Sequence, residues 1–568
     1  MISAFWIFTL PYILFGLFST NQSLKKSIEL KKRNSISCSV LDSFAPDSSK
    51  SAKFISVLPG WGSYSRKISS GVDSTQYYFN QGLNMYYGYH MYEAFYSFKE
   101  AARFDSGSAM AYWGQALVLG PNYNFAAHYK MPSRIFDILK KMNQNKASAS
   151  PVEQALIEAM NQRYSSDSLD KKRKELNQAY ANSMHELIPK FPDDEDVKML
   201  YIDAMMLIHP WSFWNTDGTP KEWTPELVQI CESVLKKDPQ HPAGLHYYIH
   251  LTEASRNPEV ALESADRLKE LLPGIAHMVH MSSHEYERNG LYPMGVDVND
   301  SADLDLALYN SITEHLKKAP HATHYLAVQT YCALMGGMYE KGMEAALRCR
   351  KSVELDREDL DAQYMYMMPL MVQARLGKWD EIIKDTTKIT KQFPYASILY
   401  DFAKGMAFVR KGNVKKANKY LKDLEENLTD TILEKDNSPQ SPTIMPAKVA
   451  GSILKASILF YQKKYQEAIE TINAGIAVED QIIYSEPRDW MMPARQYLGE
   501  FYMKMNQPEL AEKVYREDLV VNPGNGWSLL GLHNSLSAQN KTGELEELKT
   551  KYMKSFSRAD TMPVSSAF

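Results

Sequence analysis

Cysteine is scarce. The 568 residues hold four, Cys38, Cys231, Cys332 and Cys349, and none sits in a CxxC pair. A disulfide framework and a cysteine-type zinc site are therefore excluded, and the last three read as buried thiols. A basic excess is also missing. Lys and Arg total 64 against 68 Asp and Glu, for a net charge of -4, which makes nucleic acid a poor expectation as partner. No Gly-rich phosphate loop and no GxSxG elbow occur. HEYER at 284–288 is not HExxH, because Arg288 stands where the second His belongs, and HYYIH at 246–250 has no Glu after its first His. At the N-terminus one apolar run, ISAFWIFTLPYILFGLFS at residues 2–19, carries no charge.

That run is long enough for a signal sequence and marginal for a membrane span. No Lys or Arg precedes it, whereas Lys25, Lys26, Lys31, Lys32 and Arg33 follow. The positive-inside rule would then keep the body in the cytoplasm, and export needs the opposite polarity. Residues 1–24 are read as a hydrophobic signal or anchor segment and 25–71, rich in Ser and Lys, as a tether. The body is expected to be extracytoplasmic or membrane-anchored through residues 2–19, with the cytoplasm as the alternative.

Beyond residue 72 a spacing recurs. FNQGLNMYYGYHMYEAFYSFKEAARFDS carries Gly82, Ala94, Phe98 and Ala101, at offsets of 12, 4 and 3. LGEFYMKMNQPELAEKVYREDLVVNP carries Gly499, Tyr502, Ala511, Tyr515 and Pro523, and GMAFVRKGNVKKANKYL repeats the offsets of 12 and 4 at Gly405, Ala417 and Leu421. These fit the small and large apolar positions of a tetratricopeptide repeat (TPR). Small residues let the two helices of a hairpin approach, large ones fill the layer between hairpins, and Pro ends the second helix. The fold class is all-α: a TPR α-solenoid, wound as one right-handed superhelix, over residues 72–560. Three stretches rich in Pro, Gly, Asn or Trp interrupt it, at 120–129, 209–225 and 436–446. The last reads as an exposed linker. Trp211 and Trp214 in the second either line a site or plug a hydrophobic edge, and Trp490, ahead of the unit holding Gln496 and Glu500, reads as a plug.

Histidine is concentrated. Nine of the 14 fall between His241 and His324. HYYIHLTE at 246–253 and HMSSHEYE at 280–287 share the pattern His-x-x-x-His-x-x-Glu, 34 residues apart. Pro239 and Pro273 share that interval, which makes Pro242 and Ala276 the first residues of successive units. His246, His250 and Glu253 then match His280, His284 and Glu287 on the face of the first helix that lines the concave groove, and spacings of four and three keep each trio on one side. His277 and His324 open the next helices, with His321 beside the latter.

Three roles fit this pattern. A divalent transition-metal site of zinc, copper or iron would draw its ligands from His246, His250, His277, His280, His284, His321 and His324, because imidazole suits these ions and facing helices supply convergent ligands. A metal-free polar groove would bind an anionic or hydrogen-bonding ligand. A structural role would pair buried His with carboxylates and with Tyr247, Tyr248 or Tyr286. The first predicts that His246, His250, His280 and His284 converge in one groove cavity. Glu253, Glu285 and Glu287 are candidate general bases, although Glu285 points off the stripe.

FNQGLNMYYGYHMYEAFYSFKEAARFD, HPAGLHYYIHLTEASRNPEVALESADRL, PGIAHMVHMSSHEYERNG and the segment from Glu486 to Trp527 resemble a group of bacterial TPR-domain proteins marked by HYYIH and HMxSH motifs. The resemblance runs from about residue 72 to the end. It implies the fold and the His pattern and brings no reaction with it. Ser282 stands where that group typically has Pro, which puts the start of the helix in doubt. The functional expectation is a metal-dependent hydrolase or oxidase on a solenoid, acting on a small molecule or peptide in the groove. The alternative is a non-enzymatic scaffold holding a peptide or protein partner there.

Overall fold

The computed structural model describes residues 53–124, 129–167, 169–313, 322–437 and 440–568. The signal or anchor segment, its membrane attachment and His321 lie outside the described residues.

From Asp73 to Ser555 the described chain forms 24 α-helices. Among the described residues there is no strand, only an isolated antiparallel bridge between Trp214 and Pro220. Each helix packs on its successor and, in several places, on the next but one, which is the stacking of helical hairpins. The repeat spacing has a direct cause. Gly82 and Gly114 both press on the Phe98 ring, and Gly499 and Gly531 both press on Tyr515, so any Cβ at these glycines would strike the ring. The proline frame also holds. Helices start at Pro242 (Pro242–Thr252) and at Ala276 (Ala276–Arg288). His241 caps the first of these, its Nδ1 accepting from the Gly244 amide at 3.2 Å. Ser282 does not disturb the second, because it lies inside the helix and donates its hydroxyl to the Ala265 carbonyl at 2.7 Å.

The solenoid is not an open superhelix. Its first helix, Asp73–Tyr87, lies against Pro242–Thr252. Its C-terminal units fold back onto the middle. The Val521 carbonyl accepts from Arg256 at 3.1 Å and from Arg288 at 3.4 Å, and the Trp527 indole donates to the Met335 carbonyl at 2.8 Å. Gly290, in the left-handed region at φ +70°, abuts the backbone of Gly524. The C-terminal units thereby close over part of the concave face.

Two expectations for the connecting segments are corrected. Residues 53–71, read as part of a tether, form an ordered strap. Ile55, Leu58 and Ile68 are buried, the Leu58 amide donates to Gln81 at 3.0 Å, and Arg66 reaches Asp194 at 2.7 Å and Asp196 at 2.9 Å. The stretch 436–446 is not simply an exposed linker. Ser441 and Thr443 are buried, and the helix Ile444–Tyr461 begins within it. That helix is long and apolar enough to span a membrane, yet 61% of it is buried in the body, as befits a core helix.

Candidate metal centre

The helix Ala276–Arg288 is the centre of the site, with every one of its residues buried. A helix enclosed on all sides must turn some polar side chains inward. His277, His280 and His284 face the helix Pro242–Thr252 on one side and Ala322–Met335 on the other. Two triads result. His246, His250 and His277 form the first, and His280, His284 and His324 the second. Within each, one nitrogen per ring lies within 4.8 Å of the others. All are buried except His324, which is half-buried. The four histidines of the repeated motif therefore do not make one cluster. Each i, i+4 pair takes its third member from the first turn of the following unit.

Ring orientation is fixed from outside. His246 Nδ1 lies 2.6 Å from the Tyr87 carbonyl, which only accepts, so Nδ1 carries the proton and Nε2 the lone pair. That Nε2 is 3.2 Å from His277 Nε2. Two nitrogens bound to one tetrahedral zinc at 2.0–2.1 Å stand about 3.3–3.4 Å apart, so the pair is close to shared-ligand spacing. His250 Nδ1 faces Glu253 Oε1 at 3.1 Å. His280 Nδ1 faces Asn299 Oδ1 at 2.6 Å, and Asn299 donates its own amide to the Gly295 carbonyl at 2.7 Å, which assigns the flip of that side chain. His284 Nε2 lies 3.1 Å from Glu486 Oε2. His250, Glu253 and Glu486 form a third convergent group.

Aromatic rings wall the site. Tyr89 lies 4.7 Å from the His246 ring and Tyr325 stacks on His280 at 4.3 Å. Tyr123 and Trp211, from the first two interrupting loops, lie 5.0 and 5.7 Å from His250. Burial in this shell pushes the His250 imidazole down to about 3, and His246 and His284 well below their usual range. Burial likewise raises Glu253 and Glu486 well above the carboxylate range. Burial thus favours the neutral form of His246, His250 and His284, the form that coordinates a metal, and the protonated form of the Glu253 and Glu486 carboxyls, which lie side by side.

Of the candidate bases, Glu253 touches the site through His250 and through the Tyr484 hydroxyl at 3.4 Å. Glu285 and Glu287 are buried with carboxylate oxygens that accept no hydrogen bond, and neither joins a triad. Burial raises Glu287 to about 8. Sequence reasoning missed Glu486 and Tyr484, in a turn more than 160 residues beyond the last of the triad histidines, and Asn299, Tyr89 and Tyr325, which carry no motif. Trp490 is buried against Phe402 at 5.1 Å, as a plug, and Gln496 bonds Asn525 and Ser528 at 3.0 Å rather than reaching the centre.

No family model and no curated protein matches the chain. Among solved structures it is similar to the human IFIT1 dimer with m7Gppp-AAAA, at 11% identity and a TM-score of 0.33, covering 74% of this chain and 86% of that one. It is also similar to the APC/C hetero-tetramer Cut9-Hcn1, at 13% identity and a TM-score of 0.29, covering 81% of this chain and 76% of that one. The fold that the spacing implies, helical hairpins stacked in sequence, stands on the described helices and their contacts.

Proposed function

We propose that the protein holds divalent transition-metal ions in the two histidine triads and uses them in hydrolysis, with Glu253 and Glu486 moving the proton. The observation that carries this reading is the set of acceptors behind the rings. Tyr87, Glu253 and Asn299 each fix an Nδ1 proton on a different histidine and turn Nε2 to the cluster. Metal-ligating histidines nearly always have such a partner. A purely structural role leaves His250 Nε2 and His284 Nδ1 buried without a hydrogen-bond partner.

Three imidazoles leave a fourth position open, the arrangement of catalytic rather than structural zinc. Such a metal would supply Lewis-acid activation of water there. Glu253 and Glu486, next to the triads, would be the groups that move a proton, once the metal's charge has favoured their ionised form. Glu486, beside both His284 and the His250–Glu253 pair, links the two triads.

A second reading, oxidation by copper or iron, is favoured by the nitrogen-only triads and their aromatic wall. Metal identity separates the two. The scaffold reading is the alternative, and the enclosed histidine triads favour a point site over an extended groove.

The test is metal content of the purified protein by mass spectrometry, before and after chelation. Stoichiometric zinc supports hydrolysis, and copper or iron supports oxidation. The double variant His250→Ala/His284→Ala should lose metal at both triads while keeping its helical circular dichroism. Full metal retention in that variant would refute the site.

A further inference from the structure

A cavity of ≈ 500 Å³ adjoins the metal centre and shares Trp211 and Tyr484 with it. Its charge is unusual. Arg256 and Arg288 share the Val521 carbonyl as acceptor and otherwise bond only to backbone carbonyls, Thr216 for Arg256 and Glu253 and Ser255 for Arg288. Arg288 and Arg488 lie on the Tyr484 ring, at 5.5 and 5.7 Å from its centroid. Three guanidinium groups therefore crowd one wall, and among the described residues none forms a salt bridge with a carboxylate. Burial, and then the Arg488 charge, lowers Arg256 below its usual range.

Six acids also line the cavity, and none forms a salt bridge with these three arginines: Asp217 accepts from Thr219, and Glu517 lies 3.9 Å from Lys513. Asp480 is held by both terminal nitrogens of Arg495, at 2.6 and 2.8 Å. Asp518 accepts from Ser528 and Asn522, Asp489 from Ser485, and Glu479 from the Ala494 amide. Arginines on a half-buried wall that make no salt bridge keep their planar forks available to an anionic ligand, and arginine is the residue that binds carboxylate and phosphate in that way.

We infer that this cavity binds the carboxylate or phosphate of a small substrate through Arg256, Arg288 and Arg488, with the indoles of Trp211 and Trp214 packing its apolar part. The inference rests on the metal reading for what happens next. Tyr484 stands between the anion and Glu253, so the remainder of the substrate points past its ring to the triads. Arg488 makes no side-chain hydrogen bond and is free to swing onto the ligand, whereas Arg288 is held by three carbonyls.

The test is calorimetric titration of the full chain with phenylacetate, its neutral isostere phenylacetamide, and inorganic phosphate. At least one anion should bind and the amide should not, and the ranking of phenylacetate against phosphate identifies which group the site takes. Arg488→Gln should weaken anion binding by about ten-fold or more, the size of one charge-assisted hydrogen bond, with metal content unchanged, and Arg488→Lys should recover part of it. Equal binding of amide and carboxylate, no anion binding, or an Arg488→Gln variant that binds like the parent overturns the inference. Repeating the titration after chelation separates the two claims. Anion binding in a protein that never held metal sinks the metal reading alone, and stoichiometric metal without anion binding sinks the cavity assignment alone.

Discussion

Asn299→Leu removes one acceptor and leaves every imidazole in place. Asn299 is 1% exposed on the helix Tyr292–Ile312, and its Oδ1 takes the His280 Nδ1 proton at 2.6 Å. Leucine is close in volume, so packing changes little, but a buried N–H is left unsatisfied at a cost of about 1–3 kcal/mol. The His280 ring is then free to rotate or to change tautomer, and its Nε2 loses its fixed lone pair. Loss of such a partner weakens a metal site by about 10–100-fold. The effect should fall on the second triad alone. The first is fixed by Tyr87 and Glu253, which the substitution does not touch. Competition against a chromophoric zinc chelator should resolve two affinities in the parent protein, with only one of them weakened in the variant. Asn299→Asp, which retains an acceptor, should hold the affinity closer to the parent. Equal weakening of both sites, or of neither, would refute the assignment of Asn299 as the residue that sets His280.

Gly290→Ala places a Cβ against the Gly524 carbonyl oxygen at φ +70°, so it should lower the melting temperature by several degrees, beyond the conformational penalty of about 1–2 kcal/mol for a left-handed residue. An unchanged melt would mean that the ring is not closed there. Burial raises Asp196, but the Arg66 charge, with His241 and Tyr87, outweighs it and holds this carboxyl well below the carboxylate range. Its folded pKa lies under its unfolded value, so its stabilisation is full above about pH 4 and is lost as pH falls through the folded value. Arg66→Met should therefore be clearly less stable than the parent at pH 7 in urea titrations, with the gap narrowing at pH 3; a constant gap would argue against this pair. Deleting residues 1–50 should leave the melting temperature unchanged, whereas deleting 1–71 removes the buried Ile55, Leu58 and Ile68 and should lower it, and equal effects of the two would refute the strap.

The parts of this fold that were legible in the sequence are those set locally. Gly82 and Phe98 must meet within one hairpin, so their spacing is written in the chain, and Pro242 and Ala276 mark helix starts by the same kind of local constraint. The pairs His246–His250 and His280–His284 follow from one turn of helix. The division into two triads was not legible, because it depends on how far His277 and His324 reach across to the preceding helix. Glu486 was hidden for a different reason. It arrives by closure of the solenoid, and the contacts that close it, such as Gly290 on Gly524, have no period. The strap was misread because three apolar residues are scattered through a polar composition. The Tyr87 carbonyl that orients His246 belongs to the backbone, which no side-chain pattern reports.

Closure also changes what the histidines can do. On an open concave face imidazoles would be solvated, would titrate near their ordinary value and would exchange ligands with bulk water. Here the helix Asp73–Tyr87 lies on one side and the Tyr484–Trp490 turn on the other, and burial holds His246, His250 and His284 neutral. A cation entering this shell would meet neutral donors that need not first release a proton, and its charge would oppose the penalty that keeps the Glu253 and Glu486 carboxyls protonated. On the proposed reading, metal affinity and closure would be thermodynamically linked: loosening the contacts at Gly290 or Val521 would expose the donors, and filling the triads would stabilise the closed form. The repeated histidine motif would supply the ligands, and the return of the C-terminal units would supply the low dielectric, the second carboxyl and the arginine-lined approach.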